Sequence, residues 1–94
     1  MGIVTRDDIE AAADRLADRI RVTPVVEPGP GAFGLADPVT LKLELLQHTG
    51  SFKPRGAFNR VLTADVPDAG LIAASGGNHG AAVAHVARAH HAGA

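Results

Sequence analysis

The chain has no cysteine, no tryptophan and no tyrosine. Without cysteine there is no disulfide, no thiolate nucleophile and no cysteine-ligated zinc. Three phenylalanines in 94 residues leave no platform on which nucleic-acid bases could stack. An excess of one charge is missing too, since nine Lys and Arg face ten Asp and Glu. The net charge of −1 lacks the basic footprint that draws nucleic acid, so no nucleic-acid partner is expected. No apolar run approaches the ~20 residues of a membrane helix, so no membrane partner is expected either. The opening MGIVTRDD turns acidic before an apolar stretch can begin, unlike a signal peptide. Arg6 also stands where a myristoylation site needs Ser or Thr. The expectation is a soluble, cytoplasmic chain without internal repeats or low-complexity segments.

What is present suits one small domain, with an ordinary 46% of apolar residues. Thr5 and Asp8 make a T-x-x-D pattern, close to a capping box, ahead of an amphipathic run. Ile9, Ala12, Ala13, Leu16 and Ile20 share its apolar face. Acids crowd its start and Arg15 and Arg19 its end, as the helix dipole favours. Pro24 biases Thr23 towards extended backbone, which predicts a helix end near Ile20 and a short extended piece over Thr23–Val26. Glu27–Pro38, rich in Gly and Pro, reads as a loop. Val39, Leu41, Leu43 and Leu45 then alternate with Thr40, Lys42 and Glu44, the period of a half-buried strand. Ala57, Phe58, Val61 and Leu62 fall on one helical face, with Pro54 suited to the first helical position. Leu71–Ala74 reads as a strand buried on both faces, and an alanine-rich helix follows through Val83, Val86 and Ala87. The order strand, helix, strand, helix predicts a parallel α/β sheet with flanking helices.

Two stretches carry chemistry. The first, HTGSFKPRGAFN over residues 48–59, sets Lys53 at the mouth of a helix, where the dipole disfavours a cation. Local physics leaves two readings open, a solvated loop lysine or an amine desolvated near positive charge, which becomes a nucleophile for aldehydes. Thr49 and Ser51 offer hydroxyls beside it, and Gly50 lets a bound group approach the backbone. The second is SGGNHG over residues 75–80, a glycine turn between strand and helix whose free N–H groups favour an anion. It is neither the G-x-G-x-x-G of a dinucleotide site nor a P-loop. His79, His85, His90 and His91 lack the i, i+4 spacing of a zinc helix, so no metal is expected. Arg55 and Arg60 read as surface or interdomain contacts, and Glu44 and Asp65 show no paired-carboxylate pattern.

HTGSFKPRGAFN resembles the cofactor-lysine motif of the threonine/serine dehydratases, a branch of the fold type II pyridoxal-phosphate (PLP) enzymes. The resemblance implies that Lys53 forms the Schiff base with PLP and that Phe52 packs on one face of the pyridine ring. SGGNHG resembles the Ser-x-Gly-Asn-His loop of the same family. It implies that Ser75, Gly76, Gly77 and His79 line the site of the substrate carboxylate, while Asn78 touches the 3′-oxygen of PLP. The spacing of the two motifs suits the family, as does Thr23-Pro24, which belongs to its scaffold. The implied reaction turns L-threonine or L-serine into a 2-oxo acid and ammonia, in a parent enzyme that is a homo-oligomer. Serine racemases of the family carry a serine as second acid/base where this chain has Gly76, so elimination is expected over racemisation.

The likeness runs from Val4 to about Arg88, yet it covers only the front of that fold. The family's glycine-rich phosphate loop and its Ser, Thr or Cys facing the pyridine nitrogen have no counterpart here. ARAHHAGA at the end also departs from the family pattern. The expectation is therefore one incomplete α/β unit over residues 1–94, the N-terminal portion of a truncated, frameshifted or fragmentary enzyme. By itself it should be a non-catalytic remnant that is partly folded and binds PLP weakly.

Overall fold

Helix α1 (Arg6–Leu16) begins where its own side chains close the first turn. Thr5 Oγ1 accepts from the Asp8 N–H at 3.2 Å, and Asp8 Oδ2 accepts from the Thr5 N–H at 2.9 Å. The capping box is complete, and two otherwise orphaned donors are satisfied. In this computed structural model, which describes residues 2–91, α1 stops at Leu16 rather than near Ile20. Beyond it the Arg19 N–H bonds the Leu16 carbonyl at 2.8 Å, tightening the chain out of α-helical spacing. Ile9, expected on the buried face, is 61% exposed, because only the C-terminal end of α1 meets another helix.

The parallel sheet expected from the sequence is not seen among the described residues. The described strands are β1 (Val25–Val26) and β2 (Leu41–Lys42), which pair antiparallel with Val25 opposite Lys42 and Val26 opposite Leu41. After Lys42 the alternating pattern gives way to single 3₁₀ turns at Glu44–Leu46 and His48–Gly50. The Leu46 and Gln47 N–H groups close back on the Leu43 and Glu44 carbonyls at 3.0 and 3.1 Å. Leu71–Ala74 is not a strand either, and Ile72 is 97% exposed. A strand exists by virtue of a hydrogen-bonded neighbour, and no described strand pairs with this segment.

The helices carry the core instead. Helix α2 (Lys53–Leu62) buries Pro54, Ala57, Phe58 and Val61, the face its sequence spacing predicts. Helix α3 (Asn78–His91) buries Ala82 and Val86, and Leu16 of α1 completes the cluster. This core is small. The Cα radius of gyration is 15.9 Å, against about 12 Å for a compact domain of this length. No described helix is long and apolar enough to cross a membrane. Residues 92–94, the end of the ARAHHAGA stretch, lie outside the described residues.

Polar contacts tie the hairpin to the head of α2. Gln47, 2% exposed, accepts from the Arg21 N–H at 2.8 Å and donates to the Arg21 carbonyl at 2.9 Å. Thr23 donates its hydroxyl to Glu44 Oε1, and Lys42 Nζ donates to Thr23 Oγ1 at 2.7 Å. Arg55 Nη1 lies 3.6 Å from Glu44 Oε2, so this partly exposed arginine also ties α2 to the turn after β2. Burial pushes the Glu44 carboxyl up, but the Thr23 hydroxyl and the Arg55 and Lys42 charges outweigh it and hold it below its usual 4.5.

His48, in the turn ahead of α2, stacks on His85 of α3 with ring centroids 4.5 Å apart. Phe58 meets the same His85 edge-on at 5.8 Å. Burial, the His85 imidazole and Arg21 push His48 below its usual 6.5, against a hydrogen bond to the Arg19 backbone that raises it. Both groups therefore protonate less readily folded than unfolded. Their stabilisation is complete above the unfolded values and is lost as pH falls through the folded ones. Thermal melts should show two losses on acidification, one starting below pH 6.5 and one below pH 4.5. His48→Gln should remove the first. A melting temperature that rises as pH drops from 6.5 to 5 would contradict this.

Candidate active site

Lys53 opens α2, one residue earlier than the sequence predicts, with Pro54 following it inside the first turn. Its backbone N–H donates to Ser51 Oγ at 3.3 Å. The approach is bent by Thr49 (φ 64°) and Gly50 (φ 81°), both left-handed. For a β-branched threonine that conformation costs on the order of 1–3 kcal/mol, and such strain gathers at sites the surroundings must hold in place. The turn delivers Lys53 half-buried, its Nζ 5.3 Å from the ring centroid of Phe52, which is itself exposed.

The chain has two lysines, and the fold separates their roles. Lys42 Nζ is engaged by Thr23 Oγ1 and the Thr23 carbonyl and sits 3.6 Å from Glu44. Lys53 Nζ has no such partner among the described residues and opens on a cleft of about 370 Å³. A volume of this size is at the lower end for small-molecule sites. Lys53 lines it from the first turn of α2 and Phe52 from the residue before it, Leu71 and Ile72 from the extended segment, and His79 from the start of α3. Two motifs far apart in sequence thus meet at one cavity. Arg60 lines it as well, and no carboxylate does.

The remaining residues of the second motif are placed differently. Ser75, Gly76, Gly77 and Asn78 are exposed and do not line the cleft. Ser75 Oγ accepts from the Gly77 N–H at 3.2 Å, curling the loop on itself. Asn78 is the first residue of α3. A methyl group on Gly80 would lie 2.5 Å from the Ser75 carbonyl oxygen, so only glycine lets this loop fold over the first turn of the helix. The N–H groups of that first turn lack intrahelical partners, which makes the region attractive to an anion. Sequence reasoning missed Arg60 as a lining residue. Its signal was helical spacing, since Lys53, Gly56 and Arg60 succeed one another along one face.

Comparison with known proteins bears on the same region. Residues 16–93 match the family model described as "Pyridoxal-phosphate dependent enzyme". The catabolic L-threonine dehydratase TdcB of Staphylococcus aureus strain USA300 is 42% identical over 93 residues, covering 92% of this chain and 26% of that protein. A Sinorhizobium fredii protein whose name contains "threonine dehydratase" is 41% identical over 85 residues, covering 88% of this chain and 26% of its own. The chain thus spans about a quarter of the length of these relatives. No solved structure gives a significant match.

Proposed function

Because this chain belongs to the pyridoxal-phosphate dependent enzyme family, we propose that it carries the lysine-bearing part of a dehydratase acting on L-threonine or L-serine. The observation that carries this reading is the meeting of Lys53 and His79 at one cleft. The residues present suit the cofactor. Lys53 is a primary amine without an ion-pair partner among the described residues, Phe52 is an aromatic wall, and a lining free of carboxylates would admit a phosphorylated ring. The names of the relatives point to the same reaction.

When bound, pyridoxal phosphate supplies an aldehyde for amine capture and a ring that draws electron density from the substrate Cα. Lys53 Nζ would hold the cofactor and would take the substrate Cα proton as general base. Phe52 would offer the ring an aromatic wall, and Asn78 would supply an amide for a polar edge of the cofactor from the head of α3. Ser75, Gly76, Gly77 and His79 would receive the substrate carboxylate with the free N–H groups at the head of α3, His79 from the cleft and the other three from the exposed loop beside it. Loss of the Cα proton and the β-hydroxyl removes water, and hydrolysis then gives a 2-oxo acid and ammonia. Gly76 cannot carry a proton to the opposite face of Cα, so elimination is favoured over racemisation.

By itself the chain is proposed to be inactive. It spans about a quarter of its relatives, and Leu71–Ala74 has no described partner strand. The direct test exchanges these residues for the matching portion of the Staphylococcus aureus TdcB enzyme and assays that chimera beside the isolated chain. Ammonia and a 2-oxo acid should appear from L-threonine or L-serine with the chimera only. D-serine as its main product from L-serine would overturn the elimination reading.

A further inference from the structure

We infer that Gln47 is a positioning residue for Lys53, an inference that rests on the function proposed above. Among the described residues its side chain is the largest that the fold buries fully, and no step of the proposed reaction uses it. Burying a carboxamide is costly unless its polar atoms find partners, and these find backbone. Oε1 accepts from the Arg21 N–H at 2.8 Å and from the His48 N–H at 3.2 Å, while Nε2 donates to the Arg21 carbonyl at 2.9 Å. The Gln47 carbonyl in turn accepts from the Gly50 N–H at 3.0 Å. One residue thus closes the His48–Gly50 turn and moors it to the segment that follows α1. The turn needs a mooring. Thr49 and Gly50 are both left-handed, and a β-branched residue keeps that conformation only where its surroundings impose it. Lys53 follows three residues after Gly50, so the path of this turn sets how its amine enters the cleft. Ser51 Oγ carries the path onward by accepting from the Lys53 N–H. On its other side the turn meets α3, where His48 stacks on His85 of the helix that brings His79 to the same cleft. Gln47 itself does not line the cleft and acts through this backbone.

The experiment follows the rate at which Lys53 of the full 94-residue chain captures pyridoxal phosphate. Adducts are trapped with borohydride and mapped by mass spectrometry, and circular dichroism gives the folded fraction under the same conditions. Gln47→Met keeps the length of the side chain and removes its three hydrogen bonds. Leu16→Ala is the comparison, since it truncates a buried core residue on α1 and leaves the bonds of the turn in place. Per folded chain, capture should fall about tenfold or more in Gln47→Met, the scale expected for a misplaced reacting group, and stay at the wild-type rate in Leu16→Ala. A role in stability alone would leave capture per folded chain unchanged in both. Gln47→Glu keeps an acceptor for the two N–H groups and should recover part of the rate. Hydrogen exchange on the unmutated chain needs no variant to fold, and there the Arg21 and His48 amides should be protected as well as those inside α2. Exchange of these two at the rate of exposed amides, or undiminished capture per folded Gln47→Met chain, overturns the role of Gln47 and leaves Lys53 standing. Absence of a Lys53 adduct in the wild-type chain overturns both readings.

Discussion

Lys53→Ala is expected to abolish the borohydride-stable pyridoxal phosphate adduct of this chain altogether. Among the described residues no other amine lines the cleft. The second lysine, Lys42, is bonded to the Thr23 hydroxyl at 2.7 Å and the Thr23 carbonyl at 3.2 Å, outside the cleft. Lys53→Arg should fail as completely as alanine, since it keeps the charge and loses the aldehyde-reactive amine. In the chimera with the Staphylococcus aureus enzyme, the same substitution removes a general base worth about 10²–10⁴ in rate, and the cofactor's covalent anchor with it. Turnover should fall to background. An adduct of full stoichiometry in Lys53→Ala, mapped to Lys42, would refute the assignment.

Phe58→Ala should cost the chain its cooperative fold. Phe58 is 4% exposed at the centre of the helical core and braces His85 of α3 edge-on. Truncating a buried phenylalanine costs about 3–5 kcal/mol, which is comparable to the whole stability of a marginal domain. The core here comprises Leu16, Ala57, Phe58, Val61, Ala82 and Val86, with little to compensate. The cleft should be lost as well, because α2 supplies Lys53, Arg60 and this core from one helix. Ile72→Ala is the contrasting control. At 97% exposure its side chain should matter little to melting, although its sequence context is that of a buried strand. A Phe58→Ala chain that melts within a few degrees of wild type would show that the core lies elsewhere.

Local patterns in this chain translated well wherever both partners of an interaction are near in sequence. The capping box of α1 is made by residues three apart, so Thr5 and Asp8 announce it. The buried face of α2 is a matter of helical spacing, and Ala57, Phe58 and Val61 take the predicted positions. The two motifs likewise mark Lys53 and His79 as residues of one region. The strands were harder to read, because alternation describes a segment and not its neighbour. Val39–Leu45 satisfies the period of a strand, yet only Leu41–Lys42 pairs, and antiparallel to Val25–Val26. Leu71–Ala74 has the composition of a strand buried on both faces but is buried on neither, with Leu71 and Ala73 half-covered, Ile72 and Ala74 exposed and no hydrogen-bonded strand beside it.

Sequence by itself determined the three helices, the face that α2 buries and the two stretches that carry chemistry. These depend on short-range geometry and on side-chain types that few other patterns combine. Tertiary structure alone decided which lysine is free, that Arg55 is committed to Glu44, that His48 stacks on His85, and that Arg60 shares a cleft with Lys53. Each of these is a contact between a side chain and a partner supplied by folding. The charge and reach of a residue can be read from the chain, but whether it is engaged or available depends on what the fold brings beside it.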